Sequence, residues 1–511
     1  MYGRTFGSVI DAFADTYPQS QALVEGDSTY SFIEVITKIR EVGKALHAVG
    51  VRPGDRVAVA MHDSTELAIA MHAVLWSGST LVPLNIKLKA ADHAYMLEDA
   101  AAKVLLCHDK TTELAGAIAE HFKPPVIYTF GSPRFELPTL PIQAVAAATR
   151  TPDIDPSSVA WIQYTGGTTG RPKGVVHTHA TALTTMMGCA YEYEFERGER
   201  HAHIAPLTHS GFATFLPVWM RGGCNIITDG FDPDGFLELV EKERVTSTIM
   251  VPTMLNKLLD SPALPEADVS SIRTIVYGAA PITPGTLRRA VEAFGPVLLQ
   301  SYGQTECFAQ ISVLSKQDHL DAVEHGELLT SAGRPVLIAD VRIGDEDCNE
   351  VPTGELGEVL VRGPHVFKEY LNKPEETAAA KAGGWLHTGD IGRRDEHGYL
   401  HLVDRKKDVI ISGGFNVYPK EVEDILDAHP AVREVCVVGI RDEYWGEKVT
   451  AVVVLAEGID GGQAPAELID LVKERKGPIY APKEVVIVDE IPLTTVGKHD
   501  KKALVERLAS R

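Results

Sequence analysis

Residues 164–174, Tyr-Thr-Gly-Gly-Thr-Thr-Gly-Arg-Pro-Lys-Gly, bring four glycines, three threonines and one lysine into eleven positions just after the apolar run 159–162. Glycine lets backbone N–H groups turn inward and approach an anion closely, and threonine hydroxyls add donors. A lysine at the rim supplies a point charge suited to phosphate. The plain alternative is a Gly/Thr surface turn, but glycine, hydroxyl and lysine together in a loop after a strand favour phosphate. The spacing is not Gly-x4-Gly-Lys-Ser/Thr, because Pro172 stands in place of the second glycine. Three further loops carry polar groups where strands end. Residues 277–281 leave a strand with small side chains and a proline, a shape against which a flat ring can lie. Residues 301–306 offer an aromatic face for a nucleobase and, in Glu306, a carboxylate for Mg²⁺ beside phosphates. Residues 385–390 end in Asp390, a carboxylate in a tight turn suited to accepting two ribose hydroxyls. Taken singly, each of these loops reads equally well as an ordinary turn.

Such loops act together only if a scaffold gathers the ends of their strands. Ser31 and Glu34 form a capping box before Val35, Ile36 and Ile39, so a helix starts there. Strands are expected at 57–60, 103–107, 126–128, 225–228, 247–251, 274–277 and 297–300, with helical stretches between them. Strands separated by helices argue for parallel, doubly wound sheets, whose ligands sit outside the carboxyl ends of the strands. The apolar stretch 67–84 contains His72 and reaches Pro83, and reads as a buried helix, a turn at Gly78 and a strand. Residues 131–158 are richer in proline, serine and threonine and are expected to wrap the surface. From about residue 325, glycine-punctuated strands such as 357–363 and 398–404 suggest a smaller β-rich unit. After residues 404–408, strands at 435–440, 449–455 and 485–488 and a helix at 464–476 make a compact α+β unit.

At 511 residues, and roughly 150 residues per domain, the chain should hold about three domains or subdomains. A hydrophobic fraction of 44% with 23% charged residues describes a globular protein with ample core. The formal charge of −21 argues against nucleic acid or an anionic membrane as partner. The six cysteines are scattered without a Cys-x-x-Cys pair, the pattern of a reduced, cytoplasmic protein. Neither end carries a targeting signal, and no stretch reads as a membrane span.

Together and in this order, the loops resemble the acyl-adenylate-forming (AMP-binding) superfamily, in its acyl- and aryl-CoA synthetase branch of fatty acid and aromatic acid–CoA ligases. The resemblance runs from the stretch 67–85 to the closing Pro492-Leu493-Thr494-Thr495-Val496-Gly497-Lys498. It implies an α/β fold with a large N-terminal domain of two α/β sheets plus a distorted β-barrel. A small, mobile α+β C-terminal domain would cap it. The boundary is expected between an adenylation domain at 1–404 and a cap at 405–511. By the same resemblance, Thr165, Gly166, Gly167, Thr168, Thr169, Gly170 and Lys173 would cradle the β- and γ-phosphates of ATP. Gly278, Ala279, Ala280, Tyr302 and Gly303 would frame adenine. Thr305 would contact the α-phosphate, Glu306 would hold Mg²⁺, and Asp390 and Arg405 would bind the ribose. Lys407 matches the hinge, Lys498 the lysine that bridges carboxylate and α-phosphate, and Ser412, Gly413 and Gly414 the loop facing CoA. His209 fits beside the substrate carboxylate, with Phe212, Val251, Tyr277, Gly303 and Phe308 as candidates for the acyl pocket.

The implied reaction runs in two halves. Carboxylate and ATP give acyl-AMP and pyrophosphate, and the CoA thiol then gives acyl-CoA and AMP. Joining two anions makes the first barrier largely one of repulsion and orientation, which a lysine and a divalent cation offset. No general base is needed, because the carboxylate is ionised at neutral pH. Lys498 would obstruct the thiol, so a rotation about Lys407 would separate the halves. Some positions depart from the family pattern. Gly166 replaces a usual serine, and Thr208 stands where an aromatic is common. His177 and His179 alternate on an expected strand, but no third ligand is near and a metal there is not expected. Amino-acid-activating members place an aspartate where Phe212-Ala213-Thr214-Phe215 stands here, which favours an apolar, uncharged acid. Thirteen residues follow Lys498, with no carrier-protein segment, which favours CoA as acceptor. An acyl-AMP ligase loading a carrier protein is the alternative, and a non-catalytic nucleotide-binding relative a more distant one. The expected partners are therefore a small carboxylic acid, ATP, Mg²⁺ and CoA, without nucleic acid, and a homodimer is compatible with the chain.

Overall fold

The computed structural model describes residues 3–121, 127–130, 140–142, 151–165, 171–280, 282–308, 310–326, 328–456, 458–459, 461–493 and 499–509. Two large sheets dominate its first three quarters. A seven-stranded sheet has Thr80–Pro83, Arg56–Ala60, Val104–His108 and Ile127–Phe130 as a parallel block. Val159–Thr165 joins it parallel to Thr80–Pro83, and Lys173–Thr178 then returns antiparallel. In the nine-stranded sheet, the strands Gln21–Glu25, Cys224–Ile227, Arg200–His203, Ser247–Met250, Thr274–Gly278 and Leu298–Tyr302 lie parallel between antiparallel edges.

The largest apolar core fills the space between these sheets. Leu23 and Ile227 from one sheet, Val57, Leu81 and Trp161 from the other, and the helices Phe32–Ala48, Thr65–Trp76 and Ser210–Met220 share it. The Ser31–Glu34 capping box is formed as expected. Apart from the exposed Glu66 in its first turn, the helix Thr65–Trp76 is buried all round, because it lies between two sheets. Separate cores cover the outer face of each sheet, so helices and sheets alternate in layers.

The small β-rich unit is an antiparallel sheet of Asp340–Gly344, Gly357–Arg362, Leu386–Arg394 and Leu400–Arg405. Its path is open among the described residues, which is compatible with the expected distorted barrel. Beyond it, a five-stranded sheet built on the long hairpin Val432–Asp442 and Gly446–Leu455 carries the helices Pro419–Asp427, Ala464–Lys476 and Lys501–Ala509. The expected helix 464–476 is found with those bounds. His179 is the first residue of the helix His179–Glu192 rather than a strand residue, because Thr178 caps that helix. Most of the stretch 131–158 lies outside the described residues. Among the described residues no helix is long and apolar enough to cross a membrane.

Candidate functional site

The phosphate-loop residues Gly166, Gly167, Thr168, Thr169 and Gly170 lie outside the described residues, but their flanks are placed. Thr165 and Lys173 face each other across the antiparallel pair Val159–Thr165 and Lys173–Thr178. The strands on either side of this segment therefore form an antiparallel pair. Lys173 Nζ is 2.5 Å from Glu376 and 5.0 Å from the centre of the Tyr370 ring. Tyr370 sits on Glu369–Tyr370, which pairs with Val175 and Val176, and its hydroxyl donates to Glu306 Oε1 at 2.7 Å. Lys173, Tyr370 and Glu306 thus form one chain of contacts.

Glu306 belongs to the 3-10 turn Thr305–Cys307 that follows the strand Leu298–Tyr302. His177 Nε2 lies 2.8 Å from the Thr305 carbonyl and fastens that turn to the strand pair. Burial lowers the His177 pKa to about 4, so the ring is neutral and donates to the carbonyl. One carboxylate next to phosphates suits Mg²⁺, which keeps waters and takes its other ligands from the nucleotide. Among the described residues no three His, Cys, Asp or Glu side chains form a metal site by themselves.

At the next strand end, Tyr302 donates its hydroxyl to Asp390 Oδ2 at 2.6 Å, and Arg405 Nε sits 2.6 Å from Asp390 Oδ1. Asp390 and Arg405 are register partners on adjacent strands. Gly389, one residue earlier, has a positive φ of 70° inside the strand Leu386–Arg394, at a break in its register with Gly357–Arg362, so Asp390 is presented by a bulged strand instead of the expected tight turn. Lys407 follows the Arg405 strand and lies within electrostatic reach of Arg405, Asp390 and Lys173. Gly278 faces Ser301 so closely that a Cβ would meet the Ser301 carbonyl at 2.2 Å. Ala279 adopts φ of 66°, a conformation that non-glycine residues rarely take and that marks functional turns. Ala280 is half-buried beside it, and Gly303 is half-buried after Tyr302.

His209 is the N-cap residue of the helix Ser210–Met220, its Nδ1 3.2 Å from Thr208 Oγ1, and burial lowers its pKa. The loop before it is held by Asp63, whose Oδ1 accepts from Leu207 N at 3.1 Å. Burial pushes Asp63 up to about 6. Phe212 and Phe308 pack edge-on against Trp161, at 4.6 and 4.5 Å between ring centres. Val251 follows the strand Ser247–Met250 and caps the next helix. Tyr277 is placed elsewhere: its hydroxyl lies 2.9 Å from His319 Nε2, within the core on the outer face of the nine-stranded sheet. Strand alternation sends Tyr277 to that side.

Ser412, Gly413 and Gly414 form the tip of the hairpin Ile410–Ser412 and Phe415–Val417. Both glycines have positive φ, 59° and 83°, as a two-residue turn of this kind requires. Gly413 N donates to the Trp445 carbonyl at 2.8 Å. Lys498 lies outside the described residues. Asp63, Trp161, Glu358 and Tyr370 were not singled out in the sequence; each acts through a partner distant along the chain, and no local spacing marks them.

Comparison with known proteins places this geometry among described enzymes. The pattern of the AMP-binding enzyme family matches residues 10–371, and that of the AMP-binding enzyme C-terminal domain matches residues 421–498. The chain is 40% identical to the medium/long-chain-fatty-acid–CoA ligase FadD8 of Mycobacterium tuberculosis, over 94% of this chain and 86% of that protein. It is 35% identical to a feruloyl-CoA synthase of Amycolatopsis sp, over 94% of each. Among solved structures, the amide bond synthetase McbA of Marinactinospora thermotolerans superposes with a TM-score of 0.90 at 32% identity, covering 98% of this chain and 99% of that one. ATP-bound MatB of Rhodopseudomonas palustris gives 0.88 at 29% identity, covering 99% of each.

Proposed function

Since the chain belongs to the AMP-binding enzyme family, we propose that its loops divide the labour of an acyl-adenylate reaction as follows. The protein is an ATP-dependent, AMP-forming acid–CoA ligase. Lys173, with the residues 165–170, anchors the β- and γ-phosphates that leave as pyrophosphate. Tyr302 and the Asp390–Arg405 pair hold the nucleoside, with Asp390 accepting from the ribose hydroxyls. Thr305 meets the α-phosphate, and Lys498 bridges that phosphate and the attacking carboxylate. Mg²⁺ bound by Glu306 would supply charge neutralisation at the phosphates. Tyr370 orients the Glu306 carboxylate for that task.

The chain divides into an adenylation domain at 1–404 and a cap at 405–511, which turns about Lys407. In the second orientation the Gly413–Gly414 tip faces the thiol of CoA. The acid is apolar and uncharged, a reading supported by the aromatic cluster of Trp161, Phe212 and Phe308, in which Phe212 N donates to the His209 carbonyl at 3.2 Å. We assign the protein to the cytoplasm, in keeping with its six unpaired cysteines, and a homodimer is compatible with this assignment.

The observation that carries this reading is the joining of two strand ends, where Tyr370 bonds Glu306 beside Lys173 and Tyr302 bonds Asp390 beside Arg405. The test is pyrophosphate release measured with and without CoA across a panel of acids. Thioester formation with apolar acids is expected. Adenylate without thioester would favour loading of a carrier protein, and no pyrophosphate with any acid would remove the catalytic reading.

A further inference from the structure

Cys348 differs from the other five cysteines. Those five are buried, and burial pushes the thiols of Cys107, Cys189, Cys307 and Cys436 up to about 12 and that of Cys224 up to about 11. Cys348 is partly exposed, in the turn between Asp340–Gly344 and Gly357–Arg362, with φ of 63°. Its Sγ lies 3.6 Å from His387 Nε2, whose other ring nitrogen, Nδ1, lies 3.2 Å from Glu358 Oε2. A sulfur nucleophile, an imidazole and a carboxylate are thus in line, the arrangement by which a base is oriented toward a thiol. Arg342 Nη1 donates to the Cys348 carbonyl at 2.8 Å and fastens the turn that carries the thiol.

Glu358 does more than orient the imidazole. Its Oε1 accepts from Gly389 N at 3.0 Å, and Lys406 Nζ lies 3.2 Å from Oε2. Although burial pushes this carboxyl up, the bonds from His387 and Gly389 and the Lys406 charge hold it below the usual range. The Cys348–His387 pair is therefore two contacts away from the strand bulge that presents Asp390.

We propose that Cys348 is a peroxide-reactive modification site, with His387 as its base and Glu358 as its orienting carboxylate, and that its oxidation loosens the nucleotide site. The thiol proton passes to His387 Nε2, where the Ala382 carbonyl 3.3 Å away accepts from it, while Nδ1–H donates to Glu358. The sulfur attacks one peroxide oxygen, an S–O bond forms and the O–O bond breaks. The leaving oxygen takes the proton back from Nε2. Cys348 is oxidised to a sulfenic acid and the hydroperoxide is reduced to an alcohol, or to water when the peroxide is H₂O₂. The added oxygen occupies the space beside His387, so the ring shifts on Glu358, and Glu358 in turn on Gly389.

The full chain is treated with H₂O₂, trapped with dimedone and mapped by peptide mass spectrometry. Cys348 should be labelled before the other five cysteines, and about tenfold or more faster than in the guanidinium-unfolded chain. His387→Ala should slow that labelling by about tenfold or more. Equal rates in the folded and unfolded chains, earlier labelling of a buried cysteine, or an unchanged rate in a folded His387→Ala protein would overturn the site. Should His387→Ala fail to fold, the folded-against-unfolded comparison on the natural chain decides. Oxidation should also raise the KM for ATP severalfold in the natural chain but not in Cys348→Ser; an unchanged KM would overturn the link to the nucleotide. That last arm rests on the ligase reading, whereas the labelling arms do not, so the two can fail separately.

Discussion

Tyr302 and Asp390 meet at 2.6 Å between the phenol oxygen and a carboxylate oxygen, although 88 residues separate them and they lie on different sheets. Asp390 is 7% exposed, and burial pushes the Tyr302 phenol well above its ordinary range, so the phenol donates and the carboxylate accepts. The bond aims the carboxylate from one side while Arg405 holds the other oxygen.

Removing the donor should tilt this carboxylate away from the ribose. A hydrogen bond to a charged group contributes about 1.5–3 kcal/mol, and tenfold in binding is about 1.4 kcal/mol. Tyr302→Phe is expected to raise the KM for ATP by roughly 10- to 100-fold with a smaller change in kcat. Initial rates over an ATP titration test this, and an unaltered KM would remove Tyr302 from the clamp.

Tyr370 and Glu306 offer a metal-dependent counterpart. Tyr370→Phe leaves the ring over Lys173 but deletes the 2.7 Å bond to Glu306. The Mg²⁺ concentration that gives half-maximal pyrophosphate release should rise, and Glu306→Gln should raise it further. If both variants titrate like the natural chain, Glu306 does not face the cation.

The two half-reactions should separate at two lysines. Lys498→Ala is expected to cripple adenylation and to spare thioester formation from supplied acyl-AMP. Lys407→Pro should do the reverse, because a fixed φ stiffens the hinge. Each half-reaction is measured alone, and equal loss of both in Lys498→Ala would contradict its role.

Acid should destabilise this fold steeply. Burial lowers the pKa of His72, His177, His179, His203, His319 and His365 to about 4, from an ordinary 6.5. Between those values the unfolded chain binds protons that the folded chain refuses, so stability falls as the pH drops from 6.5 toward 4. Each such proton is worth about 1.4 kcal/mol per pH unit. Asp63, raised to about 6, works in the opposite sense below that pH, as do Asp404 and Asp427, which burial also raises, but they are three carboxyls against six rings. The urea midpoint should be clearly lower at pH 5 than at pH 7.5. A midpoint that holds or rises on acidification would mean that these rings are already charged in the folded state.

Much of the scaffold was legible because its signals are local. The Ser31–Glu34 box, the helix Ala464–Lys476 and the polar loops after Thr274–Gly278 and Leu298–Tyr302 each follow from residues close in sequence. The facing of side chains was not local. Tyr277 and Gly278 alternate across one strand, and which of them meets a ligand depends on which face of the sheet each packing helix covers. Tyr277 went to the outer core and bonds His319. Tyr370 was not singled out, since a two-residue strand gives no periodicity and its partner Glu306 is 64 residues away. The antiparallel pairing on either side of the phosphate loop was likewise hidden, because its strands read like the parallel strands before them.

Asp390 and Arg405 are partners across two strands, and Lys407 comes only two residues later. On the proposed assignment, the pivot of the cap therefore stands two residues from the strand pair that would read the nucleotide. A swinging arm is only as accurate as its bearing, and here the bearing is pinned by a carboxylate that also has Tyr302 as an anchor. Tyr302 and Arg405, both side chains of the fold itself, hold that carboxylate, so the mounting of the proposed pivot is set by the protein's own packing.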